Sequence, residues 1–139
     1  MEEAEQYVIV AHISPDGDAV GSSLGLWHFL TGRGKTVHVI TPNAFPDFLK
    51  WMEGSKEVLF YDKYRDFANQ LISRADVICC LDFNVITRIG DMAEAVSRSK
   101  AKKILIDHHL DPGQFTDVVI SHPRIASTSE LVFRLICQL

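Results

Sequence analysis

The stretch Tyr7-Val8-Ile9-Val10-Ala11-His12-Ile13-Ser14-Pro15-Asp16-Gly17-Asp18-Ala19 decides the fold. Its first five residues carry no charge, as expected of a strand covered on both faces. A polar, turn-forming segment follows at once. From Ala19 to about Thr31 the apolar residues recur at helical spacing, and Gly32 and Gly34 supply the stop. The same alternation continues outward from this unit. Thr36 to Thr41 reads as a second strand, ended by Pro42. A helix is expected from about Pro46 to Met52, closed by Gly54, and a short strand over Val58 to Tyr61. Helical spacing over Tyr64 to Ser73 leads into a strand from Asp76 to Asp82. Ile86 to Ser97 reads as a helix whose first part is weakened by Gly90. Lys103 to Asp107 and Asp117 to Ile120 are further strands. Ser127 or Thr128 can cap a last helix, with Glu130 in its first turn. Apolar strands alternating with helices predict an α/β fold: an open, mainly parallel β-sheet with helices on both faces, in three αβα layers.

Composition narrows the class. A chain of 139 residues, 47% hydrophobic and 23% charged, suits one domain with a proper core and argues against disorder. The longest apolar runs, such as Val77 to Leu81, are too short to span a bilayer, so no membrane partner is expected. The acidic start Met1-Glu2-Glu3 does not resemble a secretory signal, and a cytoplasmic location is expected. Three cysteines without a repeating spacing argue against a disulfide framework or a zinc knuckle. Cys79 and Cys80 lie within an apolar run and read as buried strand residues, while Cys137 sits in an apolar terminal segment. The formal charge is -4 and no polybasic stripe is present, which disfavours long duplex DNA as a partner of this domain alone. The run Lys100-Ala101-Lys102-Lys103 reads as a solvated lead-in to its strand.

Three strand ends hold the informative polar residues. After the first strand come His12, Ser14, Asp16 and Asp18; after the middle strand comes Asp82; after the later strand comes Asp107-His108-His109. In an open parallel sheet these ends share one edge, where ligands bind. Carboxylates with imidazole and no thiolate suit Mn²⁺, Fe²⁺, Co²⁺ or Zn²⁺. Acidic groups crowded together repel one another unless cations intervene, and two divalent ions resolve that conflict. Asp82, between the first loop and the His pair, is the natural bridge. Two metals about 3.5–4 Å apart can drive phosphoryl transfer. The Gly21-Ser22-Ser23 segment lies near a helix start whose free amides could face a phosphate. Arg88 is equally well read as a phosphate contact or as a surface ion pair. His28 reads as a packed or surface residue, His38 as a strand-flank residue, and His122 as a loop residue that could also approach the site.

His12-Ile13-Ser14-Pro15-Asp16-Gly17-Asp18-Ala19-Val20-Gly21-Ser22 resembles the first signature of the DHH phosphoesterase superfamily. Asp82 resembles its second signature, and Asp107-His108-His109 is the motif that names it. Ser127-Thr128-Ser129-Glu130 resembles the Ser/Thr segment of the branch with a DHHA1 second domain. The resemblance runs from about Tyr7 to Leu139 and implies a Rossmann-like DHH domain spanning residues 1–139. It implies a hydrolase acting by a two-metal mechanism with two Mn²⁺ ions, for which Mg²⁺, Co²⁺ or Zn²⁺ could substitute. One ion would take His12, Asp16 and Asp82; the other would take Asp18, Asp82 and His108. His109 would contact the substrate phosphate, with Asp107 as a nearby ligand or supporting residue. Ser22, Arg88, Ser127 and Thr128 would be further substrate contacts. The nearest branch degrades very short RNA and dephosphorylates 3′-phosphoadenosine 5′-phosphate. A short oligonucleotide or small nucleotide is therefore the expected partner, and a homodimer is compatible with the pattern. Family members carry a further metal-binding Asp and then a substrate-gripping DHHA1 domain, and the sequence reaches Leu139 before either could appear. The alternatives are a metal- or nucleotide-binding module without catalysis, and a hydrolase of inorganic phosphates resembling pyrophosphatases and exopolyphosphatases.

Overall fold

The chain alternates as the sequence requires: β1 (Gln6–Val10), α1 (Gly17–Gly32), β2 (Thr36–Thr41), β3 (Val58–Phe60), α2 (Arg65–Arg74), β4 (Val77–Leu81), α3 (Met92–Arg98), β5 (Lys102–Asp107), β6 (Val118–Ser121) and α4 (Thr128–Gln138). The structure, a computed structural model, describes residues 4–83, 86–107, 118–121 and 127–138, with the backbone alone at Asp107 and at 118–121. The six strands form one sheet in the order β3-β2-β1-β4-β5-β6, and every neighbouring pair is parallel. From β1 the chain winds outward through β2 to β3. It then returns to the centre, lays β4 beside β1, and winds the other way through β5 to β6. The order therefore reverses between β1 and β4. Such a reversal opens a crevice beyond the carboxyl ends of the two central strands.

The central strands are apolar from Tyr7 to Val10 and from Val77 to Leu81 because they face helices on both sides. Tyr7 and Ile9 of β1 and Cys79 and Leu81 of β4 join one core layer with Val20, Leu24 and Leu30 of α1 and Leu131 and Val132 of α4. Val8, Val10, Ile78 and Cys80 point the opposite way, into a second layer with Ala68 and Ile72 of α2 and Met92 and Val96 of α3. The period of two along a strand thus assigns successive residues to separate cores. The adjacent thiols Cys79 and Cys80 are both buried, one in each layer. Cys137, by contrast, is exposed.

Two expected helices are corrected. Pro46 to Met52 contains only a 3₁₀ turn over Asp47–Leu49. Its apolar spacing imitates a helical stripe, yet Phe48 and Trp51 are exposed at 72% and 78%, and Leu49 is the buried anchor of the turn. A segment this short gains too little packing to offset helix nucleation. The span Ile86 to Ser97 is divided into a 3₁₀ turn over Ile86–Ile89 and the separate helix α3. Gly90 lies between them at φ +57, a left-handed conformation that interrupts a right-handed helix.

Candidate metal centre

His12 follows β1 by two residues, and its ring is buried against the crevice. The ring Nδ1 lies 2.8 Å from the carbonyl oxygen of Ile13. A carbonyl can only accept, so Nδ1 carries the hydrogen and the neutral ring presents a bare Nε2. That Nε2 lies 3.4 Å from Asp82 Oδ2 and 3.8 Å from Asp16 Oδ1. One ligand atom from each of the three residues falls within 4.8 Å of the others. Three acceptors directed at one point call for a cation. The same demand appears in the acid–base behaviour of His12. Hydrogen bonding to Asp82 pushes the imidazole pKa up; burial opposes the rise, while the Ile13 carbonyl and the acidic neighbours add to it. One imidazole nitrogen with two carboxylates is a donor set that fits a borderline divalent ion, and the fixed Nδ1–H tautomer is the arrangement found around ligating histidines.

Each carboxylate has a structural anchor. Asp82 follows β4 directly, is buried, and adopts φ +63. A left-handed non-glycine residue costs about 1–2 kcal/mol and persists only where its surroundings over-determine it. Its N–H donates to the Ile106 carbonyl at 3.1 Å, and its Oδ1 accepts the Thr128 hydroxyl at 2.8 Å. The strained turn thereby aims Oδ2 at His12. Asp16 is the N-cap of α1: its Oδ1 accepts the Ala19 amide at 2.9 Å while the side chain stays 64% exposed on the open side. Asp18, in the first turn of α1, receives the amides of Thr128 and Ser129 at 2.9 Å each, and the Ser129 hydroxyl donates to its carbonyl at 3.2 Å. Burial alone would raise the Asp18 pKa. The Ser129 and Thr128 amides, with side-chain bonding to Ser129 and Asp82, outweigh that effect and hold it below the usual carboxylate value.

The structure therefore brings His12, Asp16 and Asp82 together and sets Asp18 beside Asp82. Several expected contacts take other parts. Ser22 is buried, and its hydroxyl donates to the Ala19 carbonyl at 3.1 Å, so its side chain faces the helix–sheet interior rather than an incoming phosphate. Ser127 Oγ accepts the Glu130 amide at 3.1 Å and caps α4. Thr128 is fully buried and serves Asp82. Ser127 thus supports α4 and Thr128 supports Asp82. The Arg88 side chain is exposed, and its carbonyl accepts the Ile13 amide at 2.7 Å, which ties the first loop to the turn after β4. Asp107 ends β5 and pairs in register with Ser121; its side chain lies outside the described residues, as do His108, His109 and His122. His28 is exposed, with its Nε2 3.1 Å from the Glu53 carbonyl and its ring against the edge of Trp27.

One residue at this edge was not singled out from the sequence. Asn43, two residues past β2, accepts the Ser14 amide at 2.6 Å through Oδ1, and its Nδ2 lies 3.4 Å from Ser14 Oγ. Its own carbonyl accepts the buried Thr41 hydroxyl at 2.8 Å. The available signal was its position: a polar residue just beyond a strand's carboxyl end, like His12 and Asp82.

A parallel αβα sheet with imidazole and carboxylates gathered at its switch point defines an α/β domain able to bind a metal. Residues 6–139 match the DHH family, N-terminal domain, and the chain belongs to that family. It is 30% identical over 128 residues to the bifunctional oligoribonuclease and PAP phosphatase NrnA of Thermus thermophilus, covering 92% of this chain and 35% of that protein. The crystal structure of an exopolyphosphatase-related protein from Bacteroides fragilis superimposes with a TM-score of 0.98 at 64% identity, over 99% of this chain and 40% of that one. RecJ from Thermus thermophilus, solved in complex with Mn²⁺, gives a TM-score of 0.52 at 17% identity over 94% of this chain and 17% of RecJ, a likeness of fold alone. The chain thus spans well under half the length of the first two relatives.

Proposed function

We propose that this chain is the metal-binding half of a manganese-dependent phosphoesterase, which hydrolyses phosphodiester or phosphomonoester bonds of short oligonucleotides or nucleotide bisphosphates. The observation that carries the reading is the clustering of His12 Nε2 with the carboxylates of Asp16 and Asp82 at the switch point of the sheet. His12, Asp16 and Asp82 would hold one divalent ion; Asp18 and Asp82, with His108, would hold the second. Such ions, when bound, supply Lewis-acid stabilisation of charge on the phosphoryl oxygens.

The chain's own residues explain why the site needs cations to accept its substrate. Asp16, Asp18 and Asp82 concentrate negative charge at one edge, which repels an anionic phosphate until that charge is balanced. Buried Asp82, fixed by Thr128 and by its own strained turn, would be the ligand shared by the two ions. Asp16 lies at the exposed rim, where a substrate would arrive. The preference for nucleotides follows the activity in the name of NrnA. Hydrolysis of inorganic polyphosphate is the second reading, favoured by the 64% identity to the exopolyphosphatase-related protein.

The test is a Mn²⁺ titration of the full-length protein by calorimetry, followed by hydrolysis assays with a diribonucleotide, 3′-phosphoadenosine 5′-phosphate, pyrophosphate and a short polyphosphate. Two ions bound, with release of a mononucleotide or of phosphate from the nucleotide substrates, is the expected result. Turnover of the inorganic substrates alone would replace the first reading by the second. Failure to bind any divalent ion would overturn both.

A further inference from the structure

We propose that Asn43 is a positioning residue that sets the tautomer and orientation of His12 through a single peptide unit. The inference rests on the metal-centre reading given above. The carbonyl that receives His12 Nδ1–H and the amide that donates to Asn43 Oδ1 are the two ends of one group, the Ile13–Ser14 peptide. In a trans peptide these ends point in opposite directions across a rigid plane. Whatever holds the Ser14 N–H therefore also aims the Ile13 C=O. Asn43 holds that N–H at 2.6 Å, and its side chain reaches Ser14 Oγ on the same residue.

The peptide needs such a restraint. Ser14 adopts φ +53, a left-handed conformation that a non-glycine residue leaves readily when nothing opposes it. Rotating the peptide to relieve Ser14 would swing the Ile13 carbonyl away from Nδ1. The His12 ring would then lose the acceptor that keeps the proton on Nδ1 and leaves Nε2 free for a cation. The neighbouring anchor cannot replace Asn43: the Ile13 amide, bound to the Arg88 carbonyl at 2.7 Å, belongs to the preceding peptide. Asn43 is itself fixed, because the Thr41 hydroxyl, buried in the sheet, binds its carbonyl at 2.8 Å. A relay from the end of β2 to the end of β1 thus fixes a ligating nitrogen that Asn43 does not touch.

The experiment is a ¹H–¹⁵N long-range correlation spectrum of the metal-free full-length protein at alkaline pH, where imidazoles are neutral, with His12 assigned by comparison with His12→Gln. Asn43→Ala and Asn43→Leu remove the acceptor, and Asn43→Asp retains it. The wild type and Asn43→Asp should show His12 protonated at Nδ1. Asn43→Ala and Asn43→Leu, at unchanged thermal midpoint, should show averaged or exchanged nitrogen shifts, and their Mn²⁺ affinity should fall about tenfold, the lower end for residues that orient a metal ligand. Nδ1–H tautomers preserved in both acceptor-free variants would overturn the relay, whatever their metal affinity. A wild type with the stated tautomer and no affinity for Mn²⁺ would refute the metal reading while the tautomer comparison still decides the part played by Asn43.

Discussion

Removing the Asp18 carboxylate should loosen α4 from the rest of the domain. Asp18 lies on α1, yet it receives the first two amides of α4, from Thr128 and Ser129, at 2.9 Å each. It acts as a long-range cap on a helix that begins 110 residues later in the chain. Losing a capping side chain costs about 1 kcal/mol, and the negative charge at a helix N-terminus contributes a further 0.3–1 kcal/mol. Thr128 is fully buried, so water cannot readily replace the lost acceptor there, and an unsatisfied amide costs about 1–3 kcal/mol. These effects overlap, and together they give about 2–3 kcal/mol for Asp18→Ala. Asp18→Asn keeps one acceptor oxygen but turns an NH₂ toward an amide, so about 1–2 kcal/mol is expected. Urea denaturation of the metal-free protein, followed by circular dichroism, measures both. The folded pKa of Asp18 lies below its ordinary value of 3.8. Its stabilisation is therefore complete above that value and disappears as pH falls through the folded pKa. The gap between wild type and Asp18→Asn should be flat at neutral pH and shrink in acid below about pH 4. A loss under about 0.5 kcal/mol for Asp18→Ala, or a gap that widens in acid, would refute this account of how α4 is held.

Asp82→Asn should abolish binding of a metal pair while the fold persists, because an amide oxygen can still accept Thr128 while the NH₂ donates to the free nitrogen of His12; two tightly bound ions in calorimetry would contradict that. Gly90→Ala should destabilise by about 1–2 kcal/mol, since φ +57 penalises a side chain and the new Cβ would lie 2.8 Å from Ile13 Cδ1; an unchanged urea midpoint would show that the turn relaxes freely. Thiol labelling of the native protein should modify Cys137 quickly and leave Cys79 and Cys80 unreacted until the protein unfolds. Both are buried, and burial pushes the Cys79 thiol up to about 12; rapid labelling of all three would reveal an opening of the core.

The strands were legible because burial on both faces leaves an uninterrupted apolar run, as in Tyr7 to Ala11 and Val77 to Leu81. The cluster of His12, Asp16 and Asp82 was legible because strand ends are the places where such runs give way to polar residues. Local spacing was less informative where an element lacks a partner to pack on, and Phe48 and Trp51 mimicked a helical stripe while facing solvent. It also could not say which atom a polar side chain would serve. Nothing local reveals that Thr128 is buried against Asp82, 46 residues away. Asn43 was passed over for the same reason: its partner, Ser14, lies 29 residues earlier, across two strands.

Those long-range bonds indicate how the site is built. Asp18 and Asp82 are held less by their own elements than by a neighbouring one. Asp82 leaves β4 in a conformation that β4 alone would not select, and its side chain is held by α4. Asp18 leaves α1 and is held by the first amides of α4. The N-terminus of α4 therefore binds, through adjacent residues, the two carboxylates that the second ion would share. A cation bound there and the docking of α4 depend on the same geometry, so each should favour the other. Ion binding should accordingly stabilise α4 more than the distant helices α2 and α3, in line with the general rule that a ligand of the native state raises its stability. Amide hydrogen exchange can resolve this: Mn²⁺ should slow exchange selectively in α4, and equal slowing in α2 and α3 would mean that the ion acts on the domain as a whole rather than through this shared end.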